Sequence, residues 1–170
     1  MTQTKHRRLN SLRLPGYDYS QSGYYFITIC TKDRKELFGT ITRDRMIENV
    51  YGKIVRDCWN DLPNHYHFEL DEFIVMPNHI HGIIVLSDVG VGLRPTPTGP
   101  GLSEIIRGFK SFSARRINQR RKLLGKPVWQ RNFYDHIIRA EEDLNAIREY
   151  IRFNPEKWER DRNNPRNARP

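Results

Sequence analysis

The chain has few of the residues that build disulfide-rich secreted domains or membrane anchors. It contains only two cysteines, Cys30 and Cys58, too few for a disulfide framework or a cysteine-based zinc site. Its longest apolar runs, residues 73–76 and 83–86, are far shorter than the roughly 20 residues of a transmembrane helix. The charged N-terminal residues lead into no apolar segment, which argues against a secretory signal. We therefore expect a cytoplasmic protein with reduced thiols and no membrane partner.

Acidic residues are outnumbered by basic ones. The 170 residues include 29 Lys and Arg but 20 Asp and Glu, which gives a formal net charge of +9. Proteins with such an excess of positive charge commonly bind phosphate groups, most often those of nucleic acid. The alternative is that the charge serves solubility alone. The sequence has neither a phosphate-binding loop of the type G-x-x-x-x-G-K-[ST] nor a G-x-S-x-G nucleophile elbow.

The length and the hydrophobic content predict one domain with a core of its own. Hydrophobic residues make up 37% of the chain and aromatic residues 11%, enough to bury a core in a domain of this size. We expect this domain at residues 1–158, with a basic arm at 1–16 and a Gly/Pro-rich loop at 88–101. The polar, Arg/Asn-rich residues 159–170 are expected to form a flexible tail.

The pattern of apolar residues predicts alternating strands and helices. Runs of aromatic and β-branched residues indicate strands, and apolar residues at helical spacing indicate helices. The predicted elements are a strand at 24–31, a helix at about 45–62, strands at 68–76 and 79–86, a helix from 102, an extended segment at 128–138 and a helix from 141 to about 154. With a hairpin in the middle, this order predicts an α+β fold of ferredoxin-like type, an antiparallel sheet covered by helices.

His79 and His81 stand at the head of the third predicted strand. Residues two apart in a strand point to the same face, so both imidazoles project together and could share a metal ion. The alternative is that two histidines beside a hairpin turn only pack or form hydrogen bonds. A second pair, His65 and His67, has no apolar run behind it, and we expect it at the surface.

Tyr150 and Asn154 lie one turn apart on the last predicted helix, at the flank of its apolar stripe. A phenolic oxygen can act as a nucleophile that forms a covalent intermediate. The Asn154 carbonyl oxygen suits a hard cation such as magnesium or manganese. The alternative, which is more common for a tyrosine in this position, is an amphipathic core residue with a hydrated hydroxyl.

Three motifs in order give the sequence a family resemblance. They are MPNHIHG at residues 76–82, VWQRNFYDHIIR at 128–139 and EYIRFNP at 149–155, and the strand GYYFIT at 23–28 precedes them. Over roughly residues 5–158 the chain resembles the single-tyrosine HUH transposases, and within them the REP-associated tyrosine transposases.

The resemblance implies the HUH nuclease fold and a metal-dependent transesterification on single-stranded DNA. By that resemblance, Tyr150 is the nucleophile and leaves a 5′-phosphotyrosine link and a free 3′-hydroxyl. His79 and His81 would hold Mg²⁺ or Mn²⁺, with Asn154 as the third protein ligand. His136, in the second motif, could be a general acid/base or a DNA contact, and the alternative is a strand histidine with satisfied hydrogen bonds. Arg131, in the same motif, is the other accessory candidate.

The resemblance also implies a partner, namely single-stranded DNA and the DNA hairpins of palindromic repeats in a bacterial nucleoid. We expect a monomer rather than a dimer. Two alternatives to the enzyme remain open: a catalytically silent protein that binds hairpin DNA, and a metal-dependent nuclease that uses water. The expected phosphate contacts are Lys5, Arg7, Arg8, Arg107, Lys110, Arg115, Arg116, Arg120 and Arg121.

Overall fold

The computed structural model of the protein describes residues 18–87 and 100–167. The predicted basic arm at 1–16, with Lys5, Arg7 and Arg8, lies outside the described residues. So does the predicted loop at 88–101, apart from its last two residues. Among the described residues, no helix combines the length and the apolar character needed to cross a bilayer.

Strands and helices alternate along the described residues. The order is β1 (Gly23–Cys30), β2 (Gly39–Thr42), β3 (Arg45–Glu48), α1 (Val50–Asn60), β4 (Glu69–Val75), β5 (His79–Leu86), α2 (Leu102–Arg120), β6 (Tyr134–Ile138) and α3 (Glu141–Arg152). Short 3-10 helices lie at Lys32–Arg34, Leu62–Asn64, Pro155–Arg160 and Pro165–Asn167.

A four-stranded antiparallel sheet in the order β4-β5-β1-β6 forms the centre of the fold. β4 and β5 form the predicted hairpin, and β5 spans the predicted residues. The two central strands, β1 and β5, are rich in β-branched and aromatic residues that suit a sheet covered on both sides. The predicted ferredoxin-like α+β fold is confirmed, with α3 as an additional helix.

The two faces of the sheet are covered by different helices. Tyr25 and Ile27 of β1 point to the face on which α1 and α2 pack, where Trp59 and Phe109 complete the larger core. Because side chains alternate along a strand, Phe26 points to the opposite face. There it packs, together with other residues of the sheet, against α3 in a smaller cluster.

Gly82 allows α1 to approach the strand that carries the two histidines. A Cβ at this position would lie 2.5 Å from Cζ2 of Trp59, so the indole occupies the space that a side chain would need. The Trp59 ring in turn stacks on Phe73 of β4, with the ring centroids 4.7 Å apart. The glycine of the MPNHIHG motif therefore has a packing role on the face opposite the imidazoles.

The predicted helix at 45–62 is wrong in its first part. Residues Arg45–Glu48 form β3, which pairs with β2, and the connecting turn uses Arg43 and Asp44 at positive φ. The helix begins only at Val50, because the side chain of Asn49 accepts hydrogen bonds from two backbone amides of the first turn. The helical spacing of Met46 and Val50 thus crosses a strand–helix boundary.

The prediction of a flexible tail at 159–170 is corrected for residues 159–167. These residues fold back towards β5, and Asp161, Asn163 and Asn164 are buried. Hydrogen bonds hold the segment in place: Asn78 Nδ2 donates to the Asn163 carbonyl at 2.8 Å, and Asn164 Nδ2 donates to the Trp158 carbonyl at 3.0 Å. A polar composition predicts solvation, but here side-chain amides bond to buried backbone groups.

Candidate active site

His79 and His81 converge on one point above the sheet. Both side chains are buried, and their Nε2 atoms are 3.0 Å apart. The two rings meet edge to face, with centroids 4.5 Å apart. The rigid central strand β5 therefore presents two nitrogen donors side by side, as the spacing predicted.

The buried Asn78 fixes the orientation of the first imidazole. Its Nδ2 donates to the backbone carbonyls of Arg34 and Asn163, so its Oδ1 must act as the acceptor. The Nδ1–H of His79 donates to this oxygen at 2.8 Å. In the neutral ring, Nε2 then keeps its lone pair and points towards His81. Such a hydrogen bond to the outer nitrogen is typical of metal-binding histidines.

The environment of both histidines favours the neutral form. Burial lowers the pKa of His79 to about 4, and the nearby Arg34 and Arg162 act in the same direction. Burial also holds the pKa of His81 well below its usual range, and its Nδ1 has Thr28 Oγ1 as partner at 2.8 Å. Both rings are therefore neutral at pH 7, the state in which imidazole binds a metal.

Asp161 brings a carboxylate to the same point. It is buried, and one of its oxygens lies with the two imidazole nitrogens in a group whose members are all within 4.8 Å of one another. Asp161 Oδ1 accepts a hydrogen bond from the Asn163 backbone amide at 2.6 Å. Two neutral nitrogens and one anionic oxygen form a donor set that is consistent with a divalent metal site.

Sequence reasoning missed Asp161 because it lies in the segment that we expected to be flexible. One signal for its placement was available. Trp158, three residues earlier, is a large apolar residue in an otherwise polar stretch, and such a residue favours packing over solvation. In the structure Trp158 is buried, and its ring lies 6.0 Å from that of His79.

Tyr150 extends from α3 towards the histidines. Its Oη is 3.4 Å from His81 Nε2, and its ring packs edge to face on Phe26 with centroids 6.0 Å apart. Burial raises the pKa of the phenol above its usual value, and the carboxylate of Asp161 contributes in the same direction. At neutral pH the hydroxyl is therefore protonated.

Asn154 follows α3 and has a buried side-chain amide close to His79 and Tyr150. Neither its Oδ1 nor its Nδ2 makes a hydrogen bond of regular geometry among the described residues. The amide raises the pKa of His79 and lowers that of Tyr150, so it stands beside both groups. A buried polar group without a partner costs about 1–3 kcal/mol, and a cation bound by Oδ1 would remove this cost. The residues present thus fit a metal ion.

The basic residues of α2 are not brought to this site. α2 packs on the face of the sheet opposite the histidines, and some of its cations are used within the chain. Lys110 Nζ donates to the backbone carbonyls of residues 130–132, and Arg121 donates to Asn118 Oδ1. The exposed cations of this helix are Arg107, Arg115, Arg116 and Arg120.

The other predicted candidates lie at the surface. His136 is exposed on β6, in register with Phe26 and so on the same face as the site. Arg131 is exposed in the segment before β6. His65 and His67 are also exposed, as predicted, and His65 Nε2 lies 3.0 Å from Asp61 Oδ2.

Comparison with known families gives one extended match. The family model described as "Transposase IS200 like" matches residues 19–154, which include both histidines, Tyr150 and Asn154 but not Asp161. An uncharacterized protein of Haemophilus influenzae is 40% identical over 169 residues and covers 92% of each chain.

More distant relatives carry descriptive names. A REP-associated tyrosine transposase of Escherichia coli K12 is 25% identical over 143 residues, which cover 82% of this chain and 70% of that protein. A solved structure of a REP-associated tyrosine transposase bound to a REP hairpin superposes with a TM-score of 0.60 at 22% identity. The superposition covers 83% of this chain and 71% of that one, and it shows that the fold is shared.

Proposed function

The chain belongs to the IS200-like transposase family, and from this premise we propose that it nicks and rejoins single-stranded DNA next to hairpins through a covalent tyrosine intermediate. The observation that carries the proposal is the position of Tyr150. Its hydroxyl stands 3.4 Å from one of two buried, converging imidazoles. A tyrosine that only packs in the core does not require two converging imidazoles beside its hydroxyl.

The proposed reaction exchanges one phosphoester for another. Tyr150 Oη attacks the phosphorus and the bond from phosphorus to the 3′ oxygen breaks. The phenol loses its proton and the departing 3′ oxygen takes one up, so no net proton is released. A 5′-phosphotyrosine link and a free 3′-hydroxyl result, and attack by that hydroxyl reverses the step. Because one phosphoester bond replaces another, the reaction needs no nucleoside triphosphate as an energy source. This agrees with the missing phosphate-binding loop. Packing on Phe26 and His81 fixes the phenol before the attack.

The donor set beside the phenol is proposed to hold Mg²⁺ or Mn²⁺. His79 and His81 would supply two nitrogens, and Asn154 and Asp161 would supply oxygens. A divalent cation bound there would polarise the scissile phosphodiester as a Lewis acid. Because carboxylate and carbonyl oxygens suit manganese as well as magnesium, and imidazole suits transition metals better, Mn²⁺ is the stronger probe of this site.

The proposed substrate is a DNA hairpin with a single-stranded flank. The solved relative named above is bound to a REP hairpin, and we extend that ligand class to this chain because of its basic excess. Since α2 packs on the face opposite Tyr150, its exposed cations are proposed to contact parts of the DNA away from the reacting phosphate. The cations of the N-terminal arm, Lys5, Arg7 and Arg8, are proposed to contact phosphates. The exposed His136 on the site face and the exposed Arg131 in the segment before β6 are proposed to assist.

The test is covalent trapping on a panel of hairpins with different single-stranded flanks. With Mn²⁺ present, the parent protein is expected to form an adduct that survives a denaturing gel. Tyr150→Phe removes only the hydroxyl and should form none. The matched control is Tyr24→Phe, because Tyr24 is also on the α3 face of the sheet and is 37% exposed; it should form the adduct at the parent rate.

Other outcomes would assign a different function. Adduct formation by Tyr150→Phe at the parent level would exclude Tyr150 as the nucleophile. Cleavage without an adduct would indicate a nuclease that uses water. Tight binding without cleavage across all flanks would indicate a silent hairpin-binding protein. Melting temperatures of the three proteins should agree, so that a loss of adduct reports chemistry and not unfolding.

A further inference from the structure

Arg162 occupies an unusual place in the segment that closes the site. Its neighbours Asp161, Asn163 and Asn164 are buried, whereas Arg162 itself is exposed. Its backbone is held firmly, because Arg34 Nη1 donates to the Arg162 carbonyl at 2.7 Å. A fixed backbone with an exposed cationic side chain is suited to bind an anionic group of another molecule.

The Arg162 side chain lies over an aromatic ring of the site face. Its guanidinium carbon is 5.5 Å from the ring centroid of Tyr134. Tyr134 on β6 is in register with Thr28 on β1, and Thr28 is in register with His81 on β5. Tyr134 and His81 therefore lie in one row across the sheet, and the cation stands over the β6 end of that row. A guanidinium stacked on a ring keeps its N–H edge free for hydrogen bonds.

The charge of Arg162 is not neutralised within the described part of the chain. Two other arginines near the site, Arg148 and Arg152 of α3, form ion pairs with Asp71 and Glu72. Arg162 has no ion-pair partner of this kind among residues 18–87 and 100–167. Its positive charge nevertheless acts on the site, since it lowers the pKa of the imidazoles and of the Tyr150 phenol.

We infer that Arg162, whose guanidinium lies over the ring of Tyr134, binds the backbone phosphate of the DNA strand that enters the site. The chemistry fits, because a guanidinium presents parallel N–H groups to the oxygens of a phosphodiester. The Tyr134 ring beneath the guanidinium already restricts the rotamers of Arg162, so the side chain loses less conformational entropy on binding. Arg162 lies outside the residues 19–154 matched by the family model. The inference rests on the proposed function, because it takes single-stranded DNA as the ligand.

The experiment tests whether the Arg162 side chain and one particular phosphate of the DNA take part in the same contact. Binding is measured with Tyr150→Phe protein in EDTA, so that neither cleavage nor metal contributes. The probe is a hairpin with a single-stranded flank in which one linkage at a time carries a neutral methylphosphonate. A double variant combines Arg162→Gln with Tyr150→Phe. Each modified DNA is tested with this double variant and with the Tyr150→Phe single variant.

We expect one linkage at which the two changes overlap. Arg162→Gln should weaken binding of unmodified DNA about tenfold, as expected for loss of a hydrogen bond between charged groups. The methylphosphonate at that linkage should weaken binding to a similar degree, and the two changes together should cost no more than one alone. Arg162→Lys keeps the charge but not the planar fork, so it should recover only part of the affinity. The slope of log affinity against log salt concentration should become shallower by about one, because one phosphate contact and its released counterion are lost.

Arg160→Gln is the matched control, because Arg160 is an exposed arginine of the same segment and has no contact with the site. It should bind every DNA of the series as the Tyr150→Phe protein does. An unchanged affinity of Arg162→Gln, or effects that multiply at every linkage, would overturn the inference and leave the proposed function standing. Failure of the Tyr150→Phe protein to bind any hairpin would overturn both.

Discussion

The two faces of the central sheet differ in the kind of side chain that they bury. On the α1/α2 face, Trp59 stacks on Phe73 and meets Phe109 edge to face, and Trp129 Nε1 donates to Ser113 Oγ at 2.9 Å. On the α3 face, two imidazole nitrogens point at each other and the amide of Asn154 makes no hydrogen bond of regular geometry among the described residues. The first face holds a packed aromatic core, whereas the second gathers polar side chains at one point.

The two His-x-His pairs show the same contrast at equal spacing. His65 and His67 are exposed, and the ring of His65 stacks on Phe112 with centroids 5.7 Å apart. His79 and His81 are buried and converge. Spacing alone therefore does not bring two imidazoles together. At His79 and His81 a rigid strand and a covering segment do so.

The largest effect is expected from truncation on the α1/α2 face. Trp59→Ala removes a fully buried indole and should lower the free energy of unfolding by about 3–5 kcal/mol, measured by urea denaturation. Because Trp59 packs on the face opposite the histidines, the Mn²⁺ affinity of the folded fraction should be unchanged. A loss of metal affinity at temperatures where the variant is folded would contradict the separation of the two faces.

The converse change removes the imidazoles of the α3 face. The double variant with His79→Ala and His81→Ala should lose Mn²⁺ binding by at least about a hundredfold, as expected when ligands of a metal site are removed. The spectrum of free Mn²⁺ in electron paramagnetic resonance measures this directly. The matched control replaces His65 and His67 with alanine and should bind Mn²⁺ as the parent does. Equal losses in both double variants would show non-specific binding by histidine.

A smaller effect is expected where β5 meets α1. Gly82→Ala places a methyl group against the indole of Trp59, and this overpacking should cost about 1–3 kcal/mol in urea denaturation. Gly108→Ala is the matched control, since its methyl group would meet the hydroxyl, Cζ and Cε2 of the half-buried Tyr66, whose ring can move aside. If Gly82→Ala were as stable as Gly108→Ala, the packing role assigned to the motif glycine would be wrong.

The smallest effect concerns the ion pairs that hold α3 against β4. Arg148 Nε donates to Asp71 Oδ1 at 2.9 Å, and this bond holds the pKa of Asp71 below its usual value. Asp71→Asn should lower the stability at pH 7 by about 1 kcal/mol, because the pair is partly exposed. Glu159→Gln, which breaks a pair exposed on both sides, should change nothing measurable.

The pH dependence of the Asp71→Asn effect has a defined sign. A carboxyl group whose pKa is lower in the folded state contributes its stability above the pKa of the unfolded state. The difference between parent and variant should therefore be constant from neutral pH down to about pH 5, and it should shrink as the pH falls below about 4. Urea denaturation at several pH values checks this. A difference that grows on acidification would contradict the assigned ion pair.

Much of the site could be predicted from local patterns. The alternation of apolar residues fixes which face of β5 carries His79 and His81, and one helical turn separates Tyr150 from Asn154. What brings Asp161 to them is a path through the 3-10 helix Pro155–Arg160, and no periodic pattern marks such a path. The position of α2 could not be foreseen either, because a basic helix face indicates solvent exposure but not the side of the sheet on which the helix packs.

The most direct test of the central claim is to identify the residue that carries the DNA. After reaction with a cleavable hairpin, nuclease and trypsin digestion should leave a nucleotide attached through its 5′-phosphate to the peptide of residues 149–152, EYIR. Tandem mass spectrometry should place this mass on Tyr150. A nucleotide on any other residue, or cleaved DNA with an unmodified peptide, would contradict the account.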